Sequence, residues 1–285
     1  MSRKTMNRKT RILLIFILLI PLSLFIMSCD VLTTQVDDVN PDDNPLDPDN
    51  PDYEPPLATI SEGPANGSTI NDDFTTFKWY GNNDQCEFSY RLNTNDWSPW
   101  STDTVTTLNY LDEIDHVFQV KAKYSTDSVQ HIPSEVSFTV DAIAGPALWL
   151  YHKKIETSVN NTFSVYVMAE EVTELAMMSV VLNFNPTYLQ IQSYEVCEDD
   201  SILNGSEIIQ VNKSDNTNGQ LTVYLALESS EQGSLSGSGP IIWVVFKAVQ
   251  RGTTNITFNN GCYFRKANNN PIEIISKVSS LIEIK

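Results

Sequence analysis

The residue types that most often carry out catalysis or bind metals are scarce in this sequence. It contains only three histidines and four cysteines: His116, His131 and His152, and Cys29, Cys86, Cys197 and Cys262. No Cys-x-x-Cys, His-Glu-x-x-His or Gly-x-Ser-x-Gly motif occurs, and neither does a glycine-rich phosphate loop or an Asp-rich calcium loop. The 36 Asp and Glu residues are too many for spacing to single out a catalytic pair. The sequence therefore predicts a protein that is not an enzyme and holds no metal or cofactor.

The charge narrows the classes of partner. The formal net charge of −18 argues against nucleic acid binding and against adhesion to anionic lipid through basic patches. Removal of an N-terminal segment with five basic residues would lower the charge further, to −23. The apolar residues are rich in Val, Ile, Phe, Tyr and Trp, which is typical of β-proteins.

Residues 1–28 have the three parts of an export signal: a basic start, an apolar run and a short exit. The apolar run is about 15 residues, shorter than the roughly 20 that a membrane-spanning helix needs, and Pro21 interrupts it. The stretch Ile26-Met27-Ser28-Cys29 resembles the bacterial lipobox. This resemblance implies that Cys29 is acylated and becomes the first mature residue, so we expect a membrane-anchored lipoprotein of the bacterial cell envelope. An uncleaved anchor helix is the alternative.

The residues after Cys29 give two conflicting indications of which membrane holds the protein. Asp30, directly after the cysteine, resembles a signal for retention at the inner membrane, whereas Asp37-Asp38 resembles the acidic cluster that accompanies export to the cell surface. Residues 29–56 that follow are mostly Asp, Asn and Pro and contain almost nothing to bury. They predict a disordered, extended linker that holds the folded part off a membrane.

Residues 57–142 predict a small β-sandwich domain. Short strand-like runs alternate with turn-forming Asn and Asp residues; the runs are Thr75–Tyr80, Cys86–Leu92, Val117–Tyr124 and Val136–Val140. The segments FSYRLNTNDWSPWS, HVFQVKAKYSTDS and EVSFTVD resemble bacterial fibronectin III-like or immunoglobulin-like modules. We expect this domain to be a spacer, with sugar stacking on Trp97 and Trp100 as an alternative.

Residues 146–285 predict a second, larger sandwich, which makes the fold class all-β with two β-sandwich domains. Nine strands can be counted: Ala147–His152, Thr162–Met168, Met177–Phe184, Leu189–Val196, Glu207–Asn212, Gln220–Leu227, Pro240–Val249, Thr254–Phe258 and a broken strand over Ile272–Ile284. Asn218-Gly219 predicts a hairpin between the fifth and sixth strands. Nine strands in about 140 residues imply two packed sheets.

This domain resembles a cohesin module. The resemblance rests on the strand and Asn185-Pro186 corner of NTFSVYVMAEEVTELAMMSVVLNFNPTYLQIQSYE, on GQLTVYLALESSE, and on the glycine-rich GSLSGSGPIIWVVFKAVQRGTTNITF. It implies a nine-stranded jelly roll that binds dockerin-like partners across the sheet of the third, fifth, sixth and eighth strands. Aligned on the Asn-Pro corner, Met177 and Ser179 take the place of a polar pair typical of type I cohesins, so a more apolar contact is expected. The outward residues of this face would be Met177, Ser179, Val181, Gln210, Tyr224 and Ala226.

The opposite sheet offers a rival site for a polysaccharide. In a cohesin-like arrangement its first, second and seventh strands are neighbours, and alternation would turn four aromatic residues outward: Trp149, Tyr151, Tyr166 and Trp243. The alternative is that the domain of residues 57–142 packs over these four aromatic residues. Because thiols of exported proteins are usually oxidised, Cys197 and Cys262 are also candidates for a disulfide. The sequence thus favours a non-catalytic envelope lipoprotein that docks a protein, with carbohydrate binding or a purely structural role as alternatives.

Overall fold

The computed structural model describes residues 44–197, 201–228 and 233–285, and the regular structure in these ranges is entirely β-strand. This confirms the all-β prediction. No helix in the described ranges is long and apolar enough to span a bilayer. The predicted signal segment, Cys29 and the first part of the linker lie outside the described residues. Residues 55–285 form one compact unit, and residues 44–54 belong to another.

The end of the linker folds into three consecutive turns. The backbone N–H groups of Asp47, Asn50 and Tyr53 each donate to the carbonyl oxygen three residues earlier, at 2.9–3.1 Å. In each turn the side chain of the first residue, which is Asn or Asp, also accepts the N–H two residues on. Proline follows that residue every time, and Asx-Pro is a strong turn former. The turns make this stretch shorter than the extended chain that its composition predicts.

Seven strands form the first pair of sheets, here called the N-terminal sandwich: β1 (Ala58–Glu62), β2 (Ser68–Ile70), β3 (Phe74–Gly81), β4 (Glu87–Leu92), β5 (Val105–Asn109), β6 (Asp115–Lys123) and β7 (Ser134–Val140). One sheet has the order β1-β3-β5 and the other β2-β7-β6-β4. The sheets pack through buried aromatic rings, with Phe77 stacked on Phe118 at 3.9 Å between centroids. Strands β1, β2 and β5 were not predicted because their apolar residues are few and widely spaced.

Thirteen strands form the second pair, the C-terminal sandwich: β8 (Ala147–Tyr151), β9 (Lys154–Thr157), β10 (Thr162–Leu175), β11 (Met177–Asn183), β12 (Leu189–Val196), β13 (Ile208–Asp215), β14 (Gln220–Leu227), β15 (Leu235–Ala248), β16 (Gly252–Phe258), β17 (Tyr263–Arg265), β18 (Pro271–Ile272), β19 (Ser276–Val278) and β20 (Ser280–Ile284). The five-stranded sheet has the order β12-β15-β10-β8-β19. The eight-stranded sheet has the order β13-β14-β11-β16-β20-β9, with β17 and β18 attached beside β11. Side chains such as Val165, Val180, Val223 and Phe246 fill one shared core between them.

The predicted neighbours in both sheets are observed. The first, second and seventh predicted strands correspond to β8, β10 and β15, and the third, fifth, sixth and eighth to β11, β13, β14 and β16. The predicted break in the last strand is also present: β19 pairs in parallel with β8 in one sheet, whereas β20 pairs in parallel with β9 in the other. The last residues of the chain therefore contribute one strand to each sheet.

A buried cluster of charges, the junction cluster, connects the two sandwiches. Lys153 Nζ donates to Glu113 Oε1 at 2.6 Å, and the two side chains are 2% and 6% exposed. The other carboxylate oxygen of Glu113 accepts the backbone N–H groups of Ala142 and Ile143. Asp112 accepts the backbone N–H of Lys153 at 2.8 Å. Every polar group of this cluster that is buried thus has a partner, as a buried ion pair requires.

Candidate functional site

The outer face of the eight-stranded sheet presents three ordered rows of side chains. Residues directly opposite each other in antiparallel strands lie on the same face. In the middle row, Val211 of β13 lies opposite Tyr224 of β14, Tyr224 opposite Ser179 of β11, and Ser179 opposite Tyr263 of β17. The two flanking rows contain Ile209, Ala226, Met177 and Arg265 on one side, and Lys213, Thr222 and Val181 on the other.

This surface, called the apolar face below, exposes side chains that a soluble sandwich would normally bury. It comprises Met177, Ser179, Val181, Ile209, Val211, Tyr224, Ala226 and Tyr263, of which Ser179 and Val181 are themselves buried. Ile209 and Val211 are 55% and 63% exposed, and Tyr224 is 45% exposed. Such a concentration of β-branched and aromatic side chains in water usually marks a contact surface for another molecule.

The register corrects one residue of the predicted partner-binding set. Met177, Ser179, Val181, Tyr224 and Ala226 do share the apolar face, but Gln210 does not. Gln210 lies opposite Leu225, whose side chain is in the core, so it points to the other side of the sheet. Gln210 nevertheless reaches solvent, because β13 is an edge strand and the sandwich is open there. The prediction for Gln210 was wrong, and Ile209 and Val211 take its place.

Ser179 is a short, buried residue in the middle of the apolar face. Its side chain is fully buried, and its Oγ has no hydrogen-bond partner among the described residues. The exposed tyrosines Tyr224 and Tyr263 lie on either side of it. A hydroxyl without a partner is costly to bury, and the full burial of Ser179 leaves this hydroxyl without contact to solvent at the face.

The charges within the three rows are all positive. Lys213 and Arg265 stand at opposite borders of the apolar face, whereas the protein as a whole carries −18. Arg265 Cζ lies 5.2 Å from the centroid of the Tyr263 ring, and its Nη1 donates to the Asn269 carbonyl oxygen at 3.0 Å. The guanidinium is therefore held in place at the edge of the exposed aromatic surface.

Three of the four aromatic residues predicted for the rival site form one row on the five-stranded sheet. Tyr151 of β8 lies opposite Tyr166 of β10, and Tyr166 opposite Trp243 of β15. Glu195 of β12 continues the row beyond Trp243. The ring centroids of Tyr151 and Tyr166 are 6.4 Å apart. We call these three aromatic side chains the aromatic row.

Trp149 is not part of an exposed surface, so its prediction as a sugar-stacking residue was wrong. It is only 2% exposed and packs with Ile143, Ala147 and Met168. Its Nε1 donates to Glu170 Oε2 at 3.0 Å. Burial raises the pKa of the Glu170 carboxyl, although the bonds from Ser238 and Trp149 oppose this shift. The segment between the sandwiches covers Trp149 through Ile143, a contact that strand alternation alone does not predict.

A cavity of about 590 Å³ lies at one end of the aromatic row. Tyr166, Trp243 and Glu195 line it from the five-stranded sheet, and Gln210 and Asn212 from the edge of the eight-stranded sheet. Cys197, at the end of β12, also lines it. Burial, assisted by the charge of Glu195, raises the pKa of the Cys197 thiol to about 11, so the thiol stays protonated at neutral pH.

Trp97 and Trp100 are covered rather than open. Arg91 Cζ and Lys121 Nζ lie 4.6 and 4.2 Å from the Trp97 ring centroid. Lys121 and Lys123 both lie 5.2 Å from the Trp100 ring centroid. These cation–π contacts stabilise the edge of the N-terminal sandwich and occupy ring surface that stacking on a sugar would need.

The proposed disulfide is absent. Cys197 and Cys262 are both free, as is the buried Cys86. Cys197 follows β12 of the five-stranded sheet and its N–H donates to Ile241, whereas the Cys262 Sγ accepts the N–H of Val181 in the eight-stranded sheet. The two thiols thus belong to opposite layers of the sandwich, and the prediction that they pair was wrong. Among the described residues, no group of three or more His, Cys, Asp or Glu is placed to hold a metal ion.

Fold and surface together define the C-terminal sandwich as a jelly-roll module with an exposed apolar sheet face. Residues 152–284 match the family model of the cohesin domain. The C-terminal sandwich is thus a cohesin-like module, which confirms the resemblance seen in the sequence.

Solved cohesin structures match about half of the chain. A non-cellulosomal cohesin from the archaeon Archaeoglobus fulgidus is 16% identical, with 49% of this chain and 90% of that chain covered and a TM-score of 0.40. A type II cohesin domain from the cellulosome of Acetivibrio cellulolyticus is also 16% identical (47% and 94% covered, TM-score 0.41). A type I cohesin–dockerin complex from Clostridium thermocellum contains a chain that is 11% identical (49% and 98% covered, TM-score 0.42). No curated protein sequence matches the chain.

Proposed function

We propose that the apolar face is a protein-docking surface and that this chain is a non-catalytic envelope protein that binds a dockerin-like partner through it. The observation that carries the proposal is the outward position of Ile209 and Val211, with Tyr224 and Tyr263 beside them. Tyrosine, methionine and arginine are enriched in the buried centres of protein interfaces. The match of residues 152–284 to the cohesin domain supports docking as the purpose of this face.

The chemistry of the face specifies the partner's contact surface. Its centre is apolar, and its borders carry Lys213 and Arg265. A complementary surface has apolar side chains at its centre and carboxylates at its rim. The rim charges mainly raise the association rate, whereas the central side chains mainly set the dissociation rate.

Capture of partners by the full-length chain tests the docking proposal. The immobilised chain is incubated with secreted proteins of the source organism in calcium, and bound proteins are identified by mass spectrometry. We expect a dockerin-bearing protein to bind and to be released by EDTA. Tyr224→Ala and Val211→Asp should each weaken its binding by about 2 kcal/mol or more, as central interface residues do, whereas the exposed Tyr80→Ala on β3 serves as a matched control without effect. Absence of any dockerin-bearing protein, or capture that ignores both substitutions, contradicts the proposal.

We further propose that Cys29 is acylated and anchors the chain in the bacterial envelope, with the Asp/Pro-rich linker and the N-terminal sandwich as spacers. Residues 26–29 support this through their lipobox pattern. Growth with an alkyne-bearing fatty acid should label the wild-type chain, and the chain should partition into detergent. Cys29→Ser should remain unlabelled and unprocessed, and equal labelling of both chains would rule the anchor out.

A further inference from the structure

The cavity at the end of the aromatic row is lined on one side by the rings of Tyr166 and Trp243. The next row on one side contains only the short or compact residues Ser164, Val245 and Ser193, so no long side chain flanks the two rings on that side. In the described part of the chain, no cation or aromatic ring stacks on Trp243, in contrast to Trp97 and Trp100. A flat ring with a free face can stack on another apolar surface of similar size.

On its other side, the cavity is lined by Asn212, whose amide is held by a neighbouring side chain. Asn212 Nδ2 donates to Gln210 Oε1 at 3.1 Å, which fixes the orientation of the Asn212 amide. The Oδ1 of Asn212 is buried and has no hydrogen-bond partner among the described residues. Asn212 lines this cavity, so a donor bound there satisfies the acceptor once the side chain turns toward it.

The charge of the lining limits what that donor can be. None of the eight described residues that line the cavity is basic, and Glu195 is its one acidic group. A phosphate, sulfate or carboxylate ligand would meet an uncompensated negative charge there. A neutral molecule with several hydroxyl groups would meet acceptors on Asn212 and Glu195 and a flat apolar surface on Trp243.

We propose that this cavity is a binding site for a neutral oligosaccharide. The apolar face of one sugar ring stacks on Trp243, and a neighbouring unit contacts Tyr166. Hydroxyl groups of the sugar donate to Asn212 Oδ1 and to the Glu195 carboxylate. The volume of about 590 Å³ lies within the range of roughly 300–1,000 Å³ that is usual for ligand pockets.

This site is independent of the docking proposal. It lies at the five-stranded sheet and the edge of the sandwich, whereas the apolar face is the outer surface of the eight-stranded sheet. Failure of either proposal therefore leaves the other intact. If both hold, one module binds a protein and a glycan at the same time.

Titration of the full-length chain with defined probes tests the inference. The probes are cellohexaose, xylohexaose and mannohexaose, with hexagalacturonate as a charged comparison, and binding is followed by calorimetry and by the indole N–H signals in NMR spectra. We expect at least one neutral probe to bind and to shift the Trp243 signal. Trp243→Ala should weaken binding by about tenfold or more, and Asn212→Ala by about threefold to tenfold, the effect of a lost hydrogen bond.

Two further variants keep the test decisive. Trp243→Phe retains a flat ring and should retain most of the affinity, which separates loss of stacking from misfolding. Tyr80→Ala removes an exposed aromatic ring elsewhere and should change nothing. No binding of any neutral probe at millimolar concentration overturns the proposal, as does equal binding of hexagalacturonate or binding that is insensitive to Trp243→Ala.

Discussion

Lys153 and Glu113 form the most deeply buried ion pair among the described residues. Because both side chains are almost fully buried, Lys153→Met would leave the Glu113 carboxylate without its cation in a low-dielectric environment. Loss of one partner of such a pair costs about 3–5 kcal/mol. Urea unfolding should show this loss for Lys153→Met.

An exposed ion pair provides the matched control for that measurement. Lys78 Nζ and Glu62 Oε2 are 2.8 Å apart, but their side chains are 49% and 61% exposed. Lys78→Met should therefore cost less than about 1 kcal/mol. Equal losses in the two variants would contradict the assignment of the junction cluster as a buried, energetically important contact.

Cys197 should behave as an unreactive thiol. Its pKa is raised from 9.0 to about 11, chiefly by burial, so at neutral pH the reactive thiolate is about a hundredfold rarer than in an exposed cysteine. In a chain whose other cysteines are replaced by serine, alkylation by iodoacetamide should be slow and should accelerate up to about pH 11.

The same pKa shift also affects stability. Above pH 9 the thiol ionises in the unfolded chain but not yet in the folded chain, so the free energy of unfolding should fall from about pH 9 to about pH 11. Cys197→Ala should remove this contribution.

An alkylation rate that levels off near pH 9 would show that Cys197 is not buried as described.

At the scale of the elements, Gly219 fixes how the β13–β14 hairpin contacts the Asn-Pro corner after β11. It has a φ of +68°, and a Cβ atom there would lie 2.0 Å from the Phe184 carbonyl oxygen. Gly67 has a similar φ of +76° but open space around it. Gly67→Ala should therefore cost about 1–2 kcal/mol for the left-handed backbone alone, and Gly219→Ala about 1–3 kcal/mol more for the clash. Equal losses by chemical denaturation would contradict this account.

The hairpin also shows how far the sequence could predict the site. Alternation within β11 and β14 fixed the faces of Ser179 and Tyr224 because each strand has one fully apolar side. In β13 both sides are mixed, so the pattern did not reveal that Gln210 and Asn212 face the open edge while Ile209 and Val211 face water. Tyr263 could not be placed because β17 has only three residues. The burial of Trp149 depends on Ile143, a contact that tertiary packing alone determines.

For the whole molecule, the junction cluster predicts coupled unfolding of the two sandwiches. They share the compact unit 55–285, and Glu113 binds both Lys153 and the connecting segment. Calorimetry should give one cooperative transition for the wild-type chain. Lys153→Met should separate it into two transitions, and two transitions already in the wild-type chain would disprove the coupling.

The position of β13 at the border of its sheet has one more consequence. Within the described residues β13 pairs only with β14, so its outward backbone groups remain available to a strand from a second molecule. With Ile209 and Val211 alongside, this border is a template for strand addition and hence for self-association in concentrated solution. Light scattering should detect such oligomers, and Val211→Lys should suppress them. At high local concentration the protein would stay monomeric only while that border is shielded.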